Sequence, residues 1–402
     1  MAKVIVCQVG ARHRYLIPRL LSKADILSFL YTDSCRYSKL GIIARIFQIF
    51  GIKNISINRL ANRNPLINRK KVRTSDVLFL KKIAVRGKDF YTNIETTYNG
   101  LTSYYIKNGV EECDIIYNMF FENIDFLKFA KKRGKTIVID IYENPTAFAD
   151  MVKEVANVPE YNKYKNIQEL YLAENKLRET YMNDVLGIAD FYTIPSKFVL
   201  DSLSVYSNFD MSKVKMLPYP SSITKNELSY SPMKHKLIWV GNDPVRKGLI
   251  YCAKAATILK RKYPDLNFEV IGVADKCLKN DVTFKNLNFI GLLNKQQLIH
   301  EYETAEAYVF PTLSEGLAGT VIEAGCCGCP IITTHNAGVE EGKFPAIYIP
   351  TRDEFAIVDA VEQIFNSKEL QCQLSKSVFK YANKEYSPIR YEKNLIAFFE
   401  HC

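Results

Sequence analysis

Short apolar, β-branched runs alternate with longer helical stretches along the chain, and this alternation predicts two α/β halves. The strands predicted in the first half are 3–9, 113–119, 136–141, 189–195 and 214–217. Those predicted in the second half are 236–240, 267–271, 282–290, 307–311 and 331–334. Repeated strand–helix units form parallel, doubly wound sheets, whose ligands bind beyond the carboxyl ends of the strands. We therefore expect an α/β fold of two doubly wound, Rossmann-like domains that face a cleft.

The polar stretch 221–234 separates the two halves and has the composition of a hinge. A length of 402 residues is suited to two domains. We place the N-terminal domain at residues 1–212 and the C-terminal domain at residues 213–387. The last segment, 388–402, has the pattern of an amphipathic helix, and we expect it to pack back onto the first domain.

The bulk composition, 48% hydrophobic and 24% charged, is that of a folded globular protein. The sequence contains no run of about 18 apolar residues, so we expect no membrane-spanning helix. The N-terminus leads directly into a strand and lacks the features of a signal peptide, so we expect a cytoplasmic protein. The ten cysteines show no paired C-x-x-C spacing with further metal ligands downstream. The group Cys326, Cys327 and Cys329 could ligate a metal or pack as small residues on a buried helix, and we expect the latter, with no metal and no cofactor.

The net charge of +11 is concentrated in one segment. Residues 36–88 contain fourteen Lys and Arg and a single acid, Asp76, which gives +13 and leaves −2 for the rest of the chain. Apolar residues are interleaved with these cations, above all in 41–50. The segment is either a cationic, amphipathic surface for an anionic membrane, with the protein peripheral on the inner face, or a solvated basic face above a core. No recognition motif accompanies it, so we expect no nucleic acid.

The strongest local signal is the loop 311–324, which follows a predicted strand and leads into a predicted helix near Gly319. Small residues at Gly316, Ala318 and Gly319 allow backbone N–H groups to approach an anion at the start of a helix. Glu315 and Glu323 are placed to accept hydrogen bonds from hydroxyls of two different sugar rings. Taken alone, the pair is also compatible with a solvated loop glutamate and a glutamate near a helix N-terminus.

The second signal is the turn 240–249, where Gly241 ends a strand and two cations, Arg246 and Lys247, precede a helix. Arginine offers a planar fork for phosphate oxygens and lysine a mobile point charge. A diphosphate between this turn and the loop 316–320 would be neutralised without a metal. Taken alone, the two cations are also typical of a solvated helix start.

These motifs resemble those of the retaining glycosyltransferase family 4, which has the two-domain GT-B architecture. The family's Glu-x7-Glu pattern is similar to Glu315…Glu323, followed here by Ala324-Gly325 and Gly328-Cys329-Pro330. Its Val-Gly…Lys-Gly turn is similar to Val240-Gly241…Lys247-Gly248. The resemblance covers residues 189–332 well and the first half only in outline.

The resemblance implies transfer of a sugar, of hexose type, from a nucleotide-sugar donor to a saccharide or lipid-linked acceptor, with retention of configuration. A cell-surface polysaccharide pathway would be compatible with the basic first domain. Glu315, Lys247 and Arg246 are the implied catalytic residues, with Glu315 on the transferred sugar and the cations on the departing diphosphate. Glu323 would bind the ribose hydroxyls. The implied donor-binding residues as a set are Gly241, Gly316, Leu317, Ala318, Gly319, Thr320 and Glu323.

The chain departs from the family pattern at several positions. Asn242 follows the glycine of the turn, where many relatives have arginine, and Leu317 stands where phenylalanine is frequent. The first domain would bind the acceptor, and its candidates, each equally compatible with a structural role, are Gly10, His13, Asp140 and Glu143. Two alternatives remain open: a nucleotide-sugar epimerase of similar fold, and a GT-B-fold binding protein without transferase activity.

Overall fold

The computed structural model describes residues 2–52, 54–84, 94–119, 121–163, 165–272 and 276–402, and every structural statement below refers to these ranges. Three cations of the predicted basic segment, Lys53, Arg86 and Lys88, lie outside the described residues. The described chain forms two parallel β-sheets with helices on both faces. The predicted pair of doubly wound α/β domains is therefore confirmed.

The first sheet has seven strands in the order β3-β2-β1-β4-β5-β6-β7. Its strands are β1 Val4–Gln8, β2 Leu27–Thr32, β3 Val72–Thr74, β4 Ile115–Asn118, β5 Thr136–Asp140, β6 Phe191–Ile194 and β7 Val214–Met216. The α-helices of this half are α1 Leu16–Lys23, α2 Lys39–Ile49, α3 Ile55–Ala61, α4 Val77–Ala84, α5 Ile94–Asn108, α6 Ile124–Lys131, α7 Ala147–Asn157, α8 Lys165–Ile188 and α9 Lys197–Ser202. All of its described strand pairs are parallel.

The second sheet has six strands in the order β10-β9-β8-β11-β12-β13. Its strands are β8 Lys236–Val240, β9 Asn267–Ile271, β10 Asn288–Gly291, β11 Ala307–Phe310, β12 Ile331–Thr333 and β13 Ile347–Tyr348. The α-helices that follow are α10 Leu249–Lys262, α11 Lys276–Lys279, α12 Lys295–Thr304, α13 Gly319–Cys326, α14 Glu354–Asn366, α15 Lys368–Glu385 and α16 Pro388–Glu400. None of the helices in the described ranges combines the length and the apolar character needed to cross a bilayer.

Two sequence-based boundaries differ from the structure by more than two residues. The strand predicted at 282–290 is wrong over its first half, because 282–284 form a turn of 3₁₀ helix capped by Asp281 and the strand occupies only Asn288–Gly291. The domain boundary predicted after residue 212 falls too early, because Val214–Met216 pairs with Phe191–Ile194 in the first sheet. The chain therefore passes to the second sheet only between 217 and 235.

Two segments carry side chains from one part of the chain into the core of another. Met151, Val155 and Tyr171, which come from the first half, are buried in the same apolar cluster as the second sheet. The C-terminal helix α16 places Leu395 and Phe399 in the cluster beneath β1 and β4 of the first sheet. Because apolar burial is the main favourable term in folding, these crossings fix the two sheets against each other.

Candidate functional site

The turn 241–248 and the loop 311–318 lie side by side because β8 and β11 are adjacent parallel strands. The backbone N–H of Leu313 and the hydroxyl of Thr312 both donate to the carbonyl oxygen of Arg246, at 2.8 and 3.0 Å. Gly248 has a φ of +66°, and a Cβ atom at this position would overlap the carbonyl oxygen of Pro311. The two segments are thus packed backbone to backbone at the carboxyl edge of the sheet, where ligands bind in this class of fold.

Two cations and two acids meet at this junction. Lys247 Nζ donates to Glu315 Oε1 at 2.5 Å, and an Arg246 Nη atom lies 2.8 Å from the same oxygen. Arg246 also contacts Asp243, through its Nε at 3.3 Å, and it donates to the carbonyl oxygen of Ser314 at 2.8 Å. Tyr171, from helix α8, donates to the other oxygen of Asp243 at 2.8 Å. The cations predicted to meet a diphosphate are therefore compensated by Glu315 and Asp243.

The pKa values of these groups reflect the balance between burial and pairing. Burial opposes ionisation of Glu315, but Lys247 and Arg246 outweigh it and hold the pKa of Glu315 below its ordinary value. Burial disfavours the charged form of Lys247 and lowers its pKa in spite of Glu315. Burial also opposes the charge of Arg246, yet Glu315 and Asp243 raise its pKa above the ordinary value. Glu315 is consequently an anion at neutral pH, held between two cations.

Gly241 leaves the space that the stem of Lys247 occupies. A Cβ atom on Gly241 would lie 2.5 Å from Cδ of Lys247 and 2.8 Å from the ring of Trp239. The indole N–H of Trp239 donates to the carbonyl oxygen of Lys247 at 3.0 Å, and Nζ of Lys247 lies 4.8 Å from the centroid of the Phe310 ring. Gly241, predicted as a donor-binding residue, thus also sets the path of the lysine side chain.

The loop 311–318 contacts the first domain as well as the turn 241–248 of the second domain. A Cβ atom on Gly316 would overlap the carbonyl oxygen of Tyr142, and the carbonyl oxygen of Gly316 accepts from the hydroxyl of Ser196 at 2.5 Å. Leu317 packs against the apolar clusters of both sheets. The small residue at 316 is therefore required by the close approach of the two domains, which the sequence did not indicate.

The amides of the loop differ in what they can bind. The N–H of Ala318 donates to the carbonyl oxygen of Ala337 at 2.8 Å, so the expectation that this amide is available to a ligand needs correction. Gly319 and Thr320 begin helix α13, whose first N–H groups have no acceptor within the helix. The hydroxyl of Thr320 accepts from Tyr308 at 2.8 Å. The anion-binding potential of the loop is concentrated at the amides of 319 and 320.

Glu323 lies one turn further along helix α13 and is tied to the segment between the domains. Its Oε1 accepts from the hydroxyl of Ser222 at 2.6 Å, and the carbonyl oxygen of Ser222 accepts from Lys295 at 2.6 Å. Burial raises the pKa of Glu323, although Ser222, Lys295 and Arg14 all favour its charged form. Arg14 belongs to the loop after β1, so the first domain reaches toward the predicted ribose-binding position.

The loop after β1 contains two of the first-domain candidates. The N–H of Gly10, which has a φ of +73°, donates to Asp33 at 2.9 Å. His13 stacks on Tyr219 with ring centroids 4.0 Å apart. Desolvation by the surrounding protein, and then the charge of Arg12, lower the pKa of His13 to about 4, although the residue is exposed. Residues 13 to 15 all have positive φ, which for non-glycine residues costs roughly 1–2 kcal/mol each and is characteristic of functional sites.

Glu143 is held in a buried ionic cluster. Arg178 donates to Glu143 through Nε at 3.2 Å and through an Nη atom at 2.5 Å. The same guanidinium lies 3.1 Å from Glu122 and 3.5 Å from Glu174. Burial raises the pKa of Glu174 to about 7, with Arg178 opposing this. Glu143 is thus engaged by Arg178 on the first-domain side of the cleft, next to Tyr142.

Asp140, the last residue of strand β5, is buried, and its carboxylate is bound by neighbouring hydroxyl groups. It accepts hydrogen bonds from the hydroxyls of Tyr219, at 2.5 Å, and Thr193, at 3.2 Å. Burial raises the pKa of Asp140 to about 6, against these hydrogen bonds and that of Tyr117. Because Asp140 is only 2% exposed, the surrounding described residues separate it from solvent.

The raised pKa of Asp140 predicts a specific pH dependence of stability. An unfolded aspartate titrates near 3.9, so the folded state binds the extra proton between about pH 4 and 6. Stability from this group is present below pH 4 and is lost as the pH rises through 6, by up to about 3 kcal/mol. Denaturant unfolding of the wild type and of Asp140→Asn should show a free-energy difference that falls over this range. A difference independent of pH would contradict the assignment.

Several residues of the site were missed by the sequence interpretation. Asp243 and Tyr171 orient Arg246, and Ser196 and Ser222 bind Gly316 and Glu323. The backbone carbonyl oxygen of Asn336 accepts from the N–H of Glu315 at 2.9 Å. Its side-chain amide donates to the carbonyl oxygen of Leu313 at 2.7 Å. Asn336 follows β12 at the same sheet edge as the loop, and that position was a usable signal.

The cysteine group belongs to the core. Cys326, Cys327 and Cys329 are buried in the apolar cluster of the second sheet, and burial raises the pKa of each thiol. Within the described ranges, no cluster of three or more His, Cys, Asp or Glu side chains is arranged to hold a metal ion.

Parts of the chain are similar in sequence to known glycosyltransferases. Residues 234–367, which contain the turn, the loop and helix α13, match the family model described as glycosyl transferases group 1. A segment of 179 residues, 42% of the chain, is 28% identical to an uncharacterized glycosyltransferase of Haemophilus influenzae. The match covers 50% of that relative, so the chain corresponds to about half of its length.

Solved structures show the same fold over the whole chain. Sucrose-phosphate synthase from Thermosynechococcus elongatus superposes with a TM-score of 0.69 at 12% identity, covering 100% of this chain and 99% of its own. HepE of Anabaena, solved in complex with UDP-glucose, superposes with a TM-score of 0.60 at 11% identity and 100% coverage of both chains. The chain therefore has the GT-B fold, and its residues 234–367 match the group 1 glycosyltransferases.

Proposed function

We propose that this chain is a retaining, family-4-like glycosyltransferase of the hexosyltransferase type. It transfers a sugar from a nucleoside-diphosphate sugar to a saccharide or lipid-linked acceptor, with a role in cell-surface polysaccharide synthesis. The observation that carries the proposal is the convergence of Lys247, Arg246 and Glu315 beside the N-terminus of helix α13. The group 1 match over the same residues and the UDP-glucose complex of a structural neighbour support a nucleotide-sugar donor.

Different residues bind the diphosphate and the transferred sugar of the donor. The diphosphate lies against the amides of Gly319 and Thr320 and against Lys247, which exchanges its contact with Glu315 for phosphate oxygens. Glu315 then turns to the hydroxyls of the transferred sugar. Fixed cations stabilise the departing diphosphate most as the sugar develops oxocarbenium character, so their effect is largest in the transition state. We propose that this charge compensation needs no metal.

The first test concerns the nucleoside end of the donor. Glu323→Ala removes the carboxylate proposed to bind the ribose hydroxyls, and it should weaken nucleotide binding by roughly 1–3 kcal/mol, the range for hydrogen bonds to a charged group. Titration calorimetry with a nucleoside diphosphate measures this. Ser222→Ala is the matched control, because it removes only the hydroxyl that donates to Glu323. Equal affinity of wild type and a folded Glu323→Ala variant would exclude the role.

The second test concerns the phosphate counter-charge. Lys247→Ala should lower kcat far more than it weakens nucleotide binding, because its contact with phosphate strengthens as the bond to the sugar breaks. Wild-type turnover should be unchanged by EDTA. Complete loss of turnover with EDTA, reversed by a divalent cation, would show that a metal carries the charge assigned here to Lys247.

The location of the acceptor follows from the charge of the first domain. The cationic segment 36–88 would hold the enzyme at an anionic membrane surface, where a lipid-linked acceptor resides. The alternatives are distinguished by products: an epimerase would convert the nucleotide sugar without any acceptor product, and an inactive binding protein would bind the donor without turnover.

A further inference from the structure

Helix α2 and the turn that follows it expose an unusual number of large apolar side chains. Ile49 and Phe50 are 77% and 78% exposed. The other exposed apolar residues of this segment are Ile42, Ile43, Ile46, Phe47 and Ile52. At about 100° per residue, the six from 42 to 50 occupy one broad stripe of the helix. We call these seven residues the apolar face of α2.

The opposite side of α2 is packed. Ala44 joins Leu60 and Ala61 of helix α3 in a small separate core. A Cβ atom on Gly41 would overlap the carbonyl oxygen of Cys35, so the helix is pressed against the chain that precedes it. The helix is therefore fixed in orientation, and its large apolar side chains face outward. Contiguous exposed apolar surface of this kind marks an interaction site.

The surroundings of the apolar face are cationic. Residues 36–73 contain ten Lys and Arg and no acid, and Lys39, Arg59, Arg69 and Lys70 are exposed in the structure. The first acid after the segment, Asp76, accepts from the hydroxyl of Ser34 at 2.6 Å and from the N–H of Leu40 at 3.1 Å, so it anchors the start of α2. Arg63 and Lys71 are paired with Asp33 and Asp25 from outside the segment, and the other cations leave an excess of positive charge. An apolar stripe within a segment of excess positive charge is complementary to anionic lipid.

We propose that the apolar face of α2 inserts into the headgroup region of an anionic bilayer, with the surrounding cations on lipid phosphates. A second copy of the chain is disfavoured as the occupant, because a symmetric contact would oppose like charges. This deepens the proposed function by defining how the enzyme is attached. Helix α2 starts just after β2 ends, at the same sheet edge as Gly10, so attachment would bring the acceptor side of the cleft to the membrane.

A tryptophan reporter separates insertion from surface adsorption. The chain has one tryptophan, Trp239, which is buried in the second domain. In Phe50→Trp, vesicles of phosphatidylcholine and phosphatidylserine should shift the emission to the blue, and lipids brominated on the acyl chains should quench it. Binding of this variant without a blue shift and without quenching would overturn insertion and leave electrostatic adsorption alone.

A loss-of-binding pair tests the same face. Ile49→Ser combined with Phe50→Ser should lower the partition coefficient onto these vesicles by at least about tenfold, since each apolar side chain loses its burial in lipid. The matched control is Ile389→Ser combined with Phe355→Ser, which alters side chains that are 82% and 66% exposed elsewhere. That control should bind as the wild type does.

Equal vesicle binding of both pairs, or no binding of the wild type, would overturn the proposal. A concentration-dependent dimer of the wild type that Ile49→Ser with Phe50→Ser abolishes, without vesicle binding, would assign the face to a second copy instead. Nucleotide affinity measured on the same variants should be unchanged. Failure of the vesicle experiment is therefore distinguishable from failure of the proposed donor site.

Discussion

Glu315→Gln is expected to lower turnover by roughly 100-fold or more and to destabilise the protein by about 3 kcal/mol. The substitution keeps the shape of the side chain but removes the charge that compensates Lys247 and Arg246 in a largely buried position. Removing one partner of a buried ion pair leaves the other charge without compensation, and this is the main source of the lost stability. Denaturant unfolding and steady-state kinetics measure the two effects.

A double variant separates stability from chemistry. Glu315→Gln combined with Lys247→Met removes one charge of each sign, so it should recover a large part of the lost stability without recovering turnover. If the double variant is destabilised by the sum of the two single changes, the residues are not coupled in the way that the 2.5 Å contact indicates.

The second large effect is expected at Gly316. In Gly316→Ala, the new methyl group would overlap the carbonyl oxygen of Tyr142, so the loop or the whole first domain must move. A displacement of about 1 Å at the reacting groups can lower the rate roughly 100-fold. We expect kcat to fall by this order, while binding of the nucleoside, which is assigned to Glu323 in helix α13, changes much less.

Gly100→Ala is the matched control for this glycine. Gly100 lies within helix α5, where an added Cβ would make an ordinary contact with Val77. Its kcat should stay at the wild-type value, and its stability should rise slightly because alanine is the better helix former. A Gly316→Ala variant with wild-type kcat would show that the close approach of Tyr142 and Gly316 is not needed for turnover.

The fold was predictable where strands are buried on both faces. The runs 236–240 and 267–271 coincide with β8 and β9, because parallel strands covered by helices consist largely of apolar residues. The strand β2, Leu27–Thr32, was missed although most of its residues are apolar or aromatic, and the short strands β3 and β13 were missed as well. Val72–Thr74 contains a single buried residue among basic neighbours, and Ile347–Tyr348 has only two residues, so neither produces a pattern. Their pairing is set by the neighbouring strands of each sheet.

The site was predictable where chemistry and position coincide in the sequence. Lys247, Arg246 and Glu315 were named from their turn and loop, and the structure brings them together. The additional pairing of Arg246 with Asp243, which Tyr171 orients from some seventy residues earlier, depends on the packing of helix α8 against the second sheet. Contacts between distant segments have no local signature, and for the same reason the partners of Gly316 and Glu143 were not foreseen.

The central claim, that the second domain binds a nucleotide sugar at Glu323 and the loop 315–320, is tested most directly by thermal shift with a panel of nucleoside-diphosphate sugars. A ligand that binds only the folded state raises Tm in proportion to the logarithm of its concentration above Kd. We predict that at least one donor raises the Tm of the wild type in this way, and that the same concentration gives a much smaller shift with Glu323→Ala. A panel without any shift, or equal shifts for both proteins, would contradict the claim.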